Sequence, residues 1–127
     1  MSPTSAAALG SAQYVQLTTF RKDGRAVPTT VWVAPLDGRL GVWTVADSGK
    51  VKRIHRNGAV TVAACDRRGT LLGAAVPATA TVLDEDGSTR VRHALRRKYG
   101  AMGRIAIGMS ILRRGKAGSV GLQITPT

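Results

Sequence analysis

The first half of the chain alternates short β-prone runs with tight turns. Tyr14–Phe20, Val27–Ala34 and Leu40–Thr44 are rich in β-branched, aromatic and aliphatic residues. Asp23-Gly24 and Asp37-Gly38 lie between these runs, and Asp-Gly is a dipeptide that tight hairpin turns favour. The pattern therefore predicts three strands joined by two hairpin turns, an antiparallel meander.

Helical spacing replaces this alternation in the middle of the chain. Val51 and Ile54 fall on one side of a helix predicted over residues 49–56, and Ser48 is placed to be its N-cap. Asn57-Gly58 follows, which predicts the left-handed ending common at helix C-termini. The helix should therefore be short and amphipathic, with one flank in the core.

The second half predicts two more strands, further helix and a final strand. The strands are Ala59–Cys65 and Leu71–Leu83, and Ser88 is the expected N-cap of the next helix. An apolar stripe supports that helix: Val91, Leu95, Tyr99 and Met102. The apolar positions of residues 104–112 fit both the strand period and the helix period. We assign these residues to helix because they continue the preceding helix and end in cations. Val120–Thr125 is the last strand.

These elements predict a mainly β protein with some α structure (α+β). Six short antiparallel strands in 127 residues favour a closed or half-closed barrel with helices, because an open sheet would leave long unpaired edges. Residues 1–12 are rich in Ser and Ala, and we expect them to be a flexible tail. Residues 13–127 then form a single domain.

Charge is the strongest signal in the composition. Lys and Arg total 19 against 7 Asp and Glu, a formal net charge of +12, which attracts nucleic acid, anionic lipid, or a small ligand rich in phosphate and carboxylate. Aromatic residues are only 4%, few for a protein that stacks single-stranded bases, so we do not expect a nucleic-acid partner. No apolar run is long enough to span a bilayer. Cys65 is the single cysteine, which favours a cytoplasmic location.

Residues for acid–base catalysis are scarce. Glu85 is the one glutamate, and His55 and His93 are the only histidines. Neither a metal-ligand cluster nor a Ser-His-Asp arrangement stands out, so we assign no catalytic residue and expect no metal. An enzyme with this composition would rely on a bound cofactor for its chemistry.

The first candidate site lies where the third predicted strand leads into the first helix. Thr44 ends the strand, and Ser48 and Gly49 begin the helix, whose first turn presents unpaired N–H groups and a partial positive charge. Lys50 and Arg53 are three residues apart and share one flank. A lysine and an arginine over free backbone donors suit a terminal phosphate. The alternative interpretation is an ordinary capped surface helix.

The second candidate site is the segment Thr29, Thr30, Val31 and Trp32 in the second predicted strand. A flat ring lying against a strand accepts hydrogen bonds from backbone N–H groups, and small hydroxylated residues allow that approach. Trp32 offers an apolar wall. The alternative interpretation is a half-buried strand whose tryptophan fills the core.

Together these segments resemble a known family. Thr18-Thr19-Phe20-Arg21-Lys22-Asp23-Gly24-Arg25 and Pro28-Thr29-Thr30-Val31-Trp32-Val33 resemble the opening hairpin of the pyridoxamine phosphate oxidase-like split β-barrel proteins, and further similarity follows. It lies in Trp43-Thr44, Ser48-Gly49-Lys50-Val51-Lys52-Arg53-Ile54 and Ala64-Cys65-Asp66-Arg67-Arg68-Gly69. The similarity is greatest to the actinobacterial branch that uses the deazaflavin coenzyme F420. It spans residues 14–125, and Thr30 departs from the pattern because many members have proline there.

The resemblance implies a homodimer with the cofactor in a groove between the two chains. The cofactor phosphate would lie at Ser48, Lys50 and Arg53, and its ring along residues 29–32. The function we expect is an F420-dependent oxidoreductase that transfers hydride to a small unsaturated or quinone-like substrate. Three alternatives stay open: an FMN-binding oxidoreductase of the same fold, a cofactor carrier without turnover, and a non-enzymatic basic module that binds nucleic acid or membrane through residues 90–116.

Overall fold

A computed structural model describes residues 6–46, 48–100 and 119–126 of the chain. Three helices and seven strands occur in these ranges. In chain order they are α1 (Ala6–Ser11), β1 (Tyr14–Phe20), β2 (Ala26–Trp32), β3 (Ala34–Leu36), β4 (Arg39–Val45), α2 (Gly49–Arg56), β5 (Ala59–Cys65), β6 (Val76–Val82), α3 (Glu85–Tyr99) and β7 (Ser119–Pro126).

The strands form one curled antiparallel sheet in the order β2-β1-β5-β6-β7-β4-β3. Its two edge strands, β2 and β3, are consecutive in the chain, with Val33 alone between them. The sheet therefore bends round until its edges approach each other, which is a half-barrel. The prediction of a mainly β, half-closed antiparallel barrel with helices is confirmed, but the strand count of six is wrong, because residues 34–36 form an additional short strand, β3.

The predicted meander is also wrong in its second half. β1 and β2 form the expected hairpin, in which Thr18 faces Pro28. β4, however, pairs with β3 and β7 and not with β2. Pro35 and Leu36, which we predicted to be part of the second turn, instead form β3 together with Ala34 and pair with β4 across Asp37-Gly38, where both residues have positive φ (51° and 80°) and make the tight hairpin.

The segment predicted to be a flexible tail contains helix α1. Leu9, only 1% exposed, belongs to the core inside the half-barrel. Lys98 of α3 donates hydrogen bonds to the carbonyl oxygens of Gly10 and Ala12, so the end of α1 is attached to the body of the protein. Burial of a leucine and these long-range bonds hold α1 against the rest of the fold.

Two apolar clusters hold the fold together. The larger fills the half-barrel and includes Leu17, Val62 and Leu122 from the sheet, with Val51 and Ile54 from α2. The smaller lies outside the sheet, between α3 and the β3–β4 hairpin: Ala34, Leu36, Val91, Ala94 and Leu95, with Trp32, Trp43, Leu83 and Tyr99 packed against them. Both tryptophans thus contribute to core packing.

Helix ends agree with the sequence pattern only in part. α2 has the predicted bounds, and the Ser48 hydroxyl oxygen accepts a hydrogen bond from the Val51 N–H. Asn57 ends it in an extended conformation and not in the left-handed one. α3 begins three residues before the expected cap, because the Asp84 carboxylate accepts from the Gly87 N–H. The helix predicted over residues 104–112 lies outside the described residues.

Candidate functional site

The start of α2 brings the predicted phosphate-binding residues together. β4 delivers Thr44 to the end of the sheet, and α2 begins at Gly49, only five residues later. Ser48 caps the helix through a contact of 3.3 Å between its Oγ and the Val51 nitrogen. Its hydroxyl oxygen is therefore partly occupied by the helix itself, a role that the sequence pattern also predicted.

Lys50 points back towards the sheet. Its Nζ donates a hydrogen bond to the Thr44 hydroxyl at 2.8 Å, so Thr44 fixes where this positive charge lies. The contact places the strand end and the helix start around one point, as the spacing of these residues predicts.

Arg53 lies over the first turn of its own helix. Its Nε donates to the Thr19 hydroxyl at 2.6 Å, and Thr19 is fully buried (0% exposed) at the end of β1. A β-carbon on Gly49 would lie 2.7 Å from Arg53 Nη1. Glycine at position 49 therefore leaves room for the guanidinium group beside the helix N-terminus.

The electrostatics of this corner are strongly positive. Burial lowers the pKa of Lys50, and the positive charge of Arg53 lowers it further. Burial likewise lowers the pKa of Arg53, with smaller contributions from Arg21 and Arg56. Within the described residues the ion pairs are Asp23–Arg25 and Asp37–Arg90, so neither Lys50 nor Arg53 has a carboxylate partner there.

Four cations thus share this corner, and two of them were not predicted. Arg56 is exposed, and its Nη2 donates to the Phe20 carbonyl oxygen at 3.0 Å. Arg21 joins from the β1–β2 turn. Because α2 packs beside the end of β1, residues about 30 positions apart in the chain become neighbours, and local spacing carries no signal of that packing.

The segment predicted to hold a ring lies on a sheet edge. Among the described strands β2 pairs with β1 only. Proline has no N–H, so Pro28 must direct its nitrogen away from β1. Because successive residues of a strand alternate in direction, the N–H groups of Thr30 and Trp32 also face the open edge, whereas those of Thr29 and Val31 face β1.

The side chains of this segment take different roles. The Thr29 hydroxyl donates to the Leu17 carbonyl oxygen at 3.1 Å, and Val31 packs against the core of the half-barrel. Trp32 stacks on Tyr99 with 4.7 Å between ring centroids. Thr30 is exposed. The Thr29 and Val31 side chains therefore anchor the strand, while the N–H groups of Thr30 and Trp32 face the edge of β2 that no described strand covers.

The two candidate sites adjoin each other. Thr19, which receives the hydrogen bond from Arg53, lies opposite Val27 of β2. Val27 is two residues before Thr29 on the same edge strand. A ligand with an anionic group at one end and a flat ring at the other could therefore contact the α2 corner and the β2 edge together. Thr19 was missed from the sequence, since its role depends on the position of α2.

Residues 6–46, 48–100 and 119–126 contain no group of three His, Cys, Asp or Glu side chains placed to hold a metal ion. None of the helices in these ranges is both long and apolar enough to cross a membrane.

Solved structures share this architecture. The conserved hypothetical protein Rv2991 from Mycobacterium tuberculosis superposes with a TM-score of 0.71 at 24% identity, covering 95% of this chain and 77% of that one. A protein described as an F420 reductase gives 0.61 at 19% identity over 98% and 94% of the two chains. The heme storage protein HutZ from Vibrio cholerae gives 0.66 at 14% identity over 91% and 82%. At these identities the likeness concerns the fold alone.

The sequence itself matches a family model. No curated protein matches the chain. The model described as pyridoxamine 5'-phosphate oxidase matches residues 1–127, the full length of the sequence. With the half-barrel, the cationic helix start and the open β2 edge already described, this match leads to one conclusion: the chain belongs to the pyridoxamine 5'-phosphate oxidase family.

Proposed function

We propose that this protein is an oxidoreductase that binds coenzyme F420, with the phosphate of the cofactor at the α2 corner and its tricyclic ring along the β2 edge. Reduced F420, when bound, supplies a hydride to a carbon of a small unsaturated or quinone-like substrate, and solvent supplies the proton that completes the reduction. The chain itself binds the cofactor, orients its ring and limits its contact with water.

The pair Lys50 and Arg53 is the observation that carries the proposal. Both cations are partly buried, both have a lowered pKa, and neither has a carboxylate partner in the described residues. Bringing two like charges together out of water costs free energy, and an anion placed between them recovers it. Asp47, the carboxylate nearest to α2 in the sequence, lies outside the described residues. Hydroxyl groups of Thr44 and Thr19 hold the two cations in place without neutralising them.

The β2 edge supports the ring position. Thr30 and Trp32 direct their N–H groups to the open edge, and a tricyclic ring with carbonyl oxygens and ring nitrogens accepts such bonds. A proline in place of Thr30, frequent in the resembled family, would remove one of these donors. The ring orientation in this protein should therefore rely on Thr30 more than it does in those relatives.

Charge favours F420 over FMN. Both molecules carry a tricyclic ring and a phosphate, but F420 also carries a poly-glutamate tail. A chain with a net charge of +12 attracts such a tail electrostatically. The corner formed by Arg21, Lys50, Arg53 and Arg56 would extend this attraction beyond the phosphate.

We further propose that the protein acts as a cytoplasmic homodimer. Among the described strands β2 is an edge strand, and a second copy placed over it would turn an exposed ring site into a groove. A ring held only at one strand edge stays in water, whereas hydride transfer benefits from its exclusion.

Binding decides between the candidate functions. The purified protein should be titrated with F420 and with FMN, following cofactor fluorescence, and then assayed with reduced F420 and a panel of quinones and enones. We expect micromolar or tighter binding of F420 and turnover of at least one acceptor. Tighter binding of FMN would transfer the proposal to the flavin, to which the family match also points. Binding without turnover would indicate a carrier, and no binding of either cofactor would reject the proposal.

A further inference from the structure

A cavity of about 510 Å³ opens on the outer face of the sheet, away from the cationic corner. One wall is the chain entering β1, and the other is the end of β5 with the loop that follows it. Its lining residues are Ala12, Gln13, Tyr14, Cys65, Asp66, Arg67 and Leu72. The volume falls within the range of about 300–1,000 Å³ typical of small-molecule sites.

The cavity adjoins the strand that we propose holds the cofactor ring. Tyr14 lies opposite Trp32 in the β1–β2 pair, and their rings meet edge to face at 6.5 Å. The Thr30 hydroxyl lies near enough to the Cys65 thiol to lower its pKa against the larger, opposite effect of burial. Two lining residues therefore lie beside the two residues whose N–H groups face the open edge of β2.

The lining combines an apolar surface with one cation. Tyr14, Cys65 and Leu72 supply the apolar part. Leu72 is 69% exposed and its neighbour Leu71 is 50% exposed, and they are the exposed large hydrophobic residues of the described chain. Such residues often mark a binding surface.

The rim of the cavity carries one charge of each sign. Asp66 Oδ1 accepts hydrogen bonds from the N–H groups of Arg68 and Thr70, each at 2.9 Å, which hold the carboxylate at the turn, where its negative charge contributes to the raised pKa of Cys65. Arg67 is exposed beside the cavity and makes no ion pair in the described residues. An anionic group on a bound molecule would therefore meet Arg67.

We propose that this cavity binds a planar, apolar molecule that carries an anionic group, and that it is the site of the reducible substrate. The second part rests on the proposed function, since it needs the cofactor ring on the β2 edge. The first part stands on the cavity alone. The lining of the cavity narrows the substrate class to aromatic or quinone-like acids. Tyr14 and Leu72 would cover the apolar body of such a molecule, and Arg67 would contact its charge.

Two fluorescent probes test the proposal without any cofactor. 1-Anilinonaphthalene-8-sulfonate carries the planar apolar body and the anion, and N-phenyl-1-naphthylamine carries the body alone. The chain offers matched controls, because Leu71 and Arg68 neighbour Leu72 and Arg67 but do not line the cavity. Leu72→Ala should weaken the binding of both probes about fivefold or more, and Leu71→Ala should weaken the binding of neither. Arg67→Ala should weaken the binding of the sulfonate probe about threefold or more and leave the affinity for the neutral probe unchanged. Arg68→Ala should change the affinity for neither probe.

Equal effects of the two leucine variants, or of the two arginine variants, would overturn the proposal, because they would indicate unspecific adsorption to an apolar or basic surface. Loss of the dimer in Leu72→Ala by size-exclusion chromatography would also overturn it and assign the cavity to a subunit contact. The probes bind or fail to bind whatever the outcome of the F420 titration, so failure here is distinct from failure of the proposed function.

Discussion

Arg53 lies so close to Gly49 that a β-carbon there would approach Arg53 Nη1 to 2.7 Å. Gly49→Ala should therefore displace the guanidinium group, which is the mobile end of a long side chain, and leave the backbone in place. Alanine favours helix over glycine by up to about 1 kcal/mol, so we expect a fold at least as stable and an F420 affinity about threefold or more weaker. Thermal unfolding and fluorescence titration measure the two effects. Unchanged affinity would mean that the position of Arg53 over the helix start does not matter for binding.

The affinity for F420 should depend on where the cations of this corner lie and not on the net charge alone. Lys50→Ala with Arg53→Ala should weaken F420 binding at least tenfold, on the order of 1.4 kcal/mol, because the anionic group of the cofactor loses both partners. Lys52→Ala with Arg39→Ala removes the same number of charges from exposed positions and serves as the control. If both double variants bind F420 equally weakly, the attraction is a property of the whole surface and the phosphate lies elsewhere.

The open edge of β2 predicts that proline costs much less stability at position 30 than at position 29. The N–H of Thr30 faces away from β1, so Thr30→Pro should keep the fold and cost less than about 1 kcal/mol of stability. The N–H of Thr29 faces β1, so Thr29→Pro should cost about 3 kcal/mol. Chemical unfolding of both variants compares these costs. Thr30→Pro should also weaken cofactor binding, since it removes one donor to the ring. Equal destabilisation of the two variants would show that the alternation inferred from Pro28 is wrong.

Lys98 should make the stability of the protein depend on pH in the alkaline range. Burial lowers the pKa of Lys98 from its usual 10.5 to about 8. Between these values the unfolded chain binds more protons than the folded one, so the free energy of unfolding rises with pH across this window. Lys98→Met lacks this contribution, so its free energy of unfolding should fall relative to that of the wild type as the pH rises.

Urea unfolding on both sides of that window measures the difference between the two proteins. Lys52→Met, which removes an exposed lysine of α2, is the matched control and should follow the wild-type pH profile. Parallel profiles for wild type and Lys98→Met would show that the amine does not change its pKa on folding.

Local patterns predicted the local features of this molecule well. The bounds of α2, its Ser48 cap and the hairpin at Asp23-Gly24 follow from neighbouring residues, and the structure contains all three. Lys50 and Arg53 share a flank because helical spacing alone requires it.

Features that depend on distant packing were missed. Val33 lies between the two edge strands of the sheet, and nothing in the neighbouring residues indicates that the β-prone run divides there. Thr19 and Arg21 enter the cationic corner only because α2 packs against the end of β1. The order of α1 was missed for the same reason, since it depends on Leu9 in the core and on Lys98, far along the chain.

One carbonyl group has a mechanical consequence. The carbonyl oxygen of Val33 accepts hydrogen bonds from Lys98 Nζ at 2.7 Å and from the Tyr99 hydroxyl at 2.8 Å, and Val33 is the single residue between the two edge strands. The two edge strands are therefore joined by a link one residue long, which the end of α3 holds through two hydrogen bonds. Lengthening that link by an inserted residue would let the two edge strands move apart. The sheet around the candidate site would then flatten, even though every residue of the site is still present.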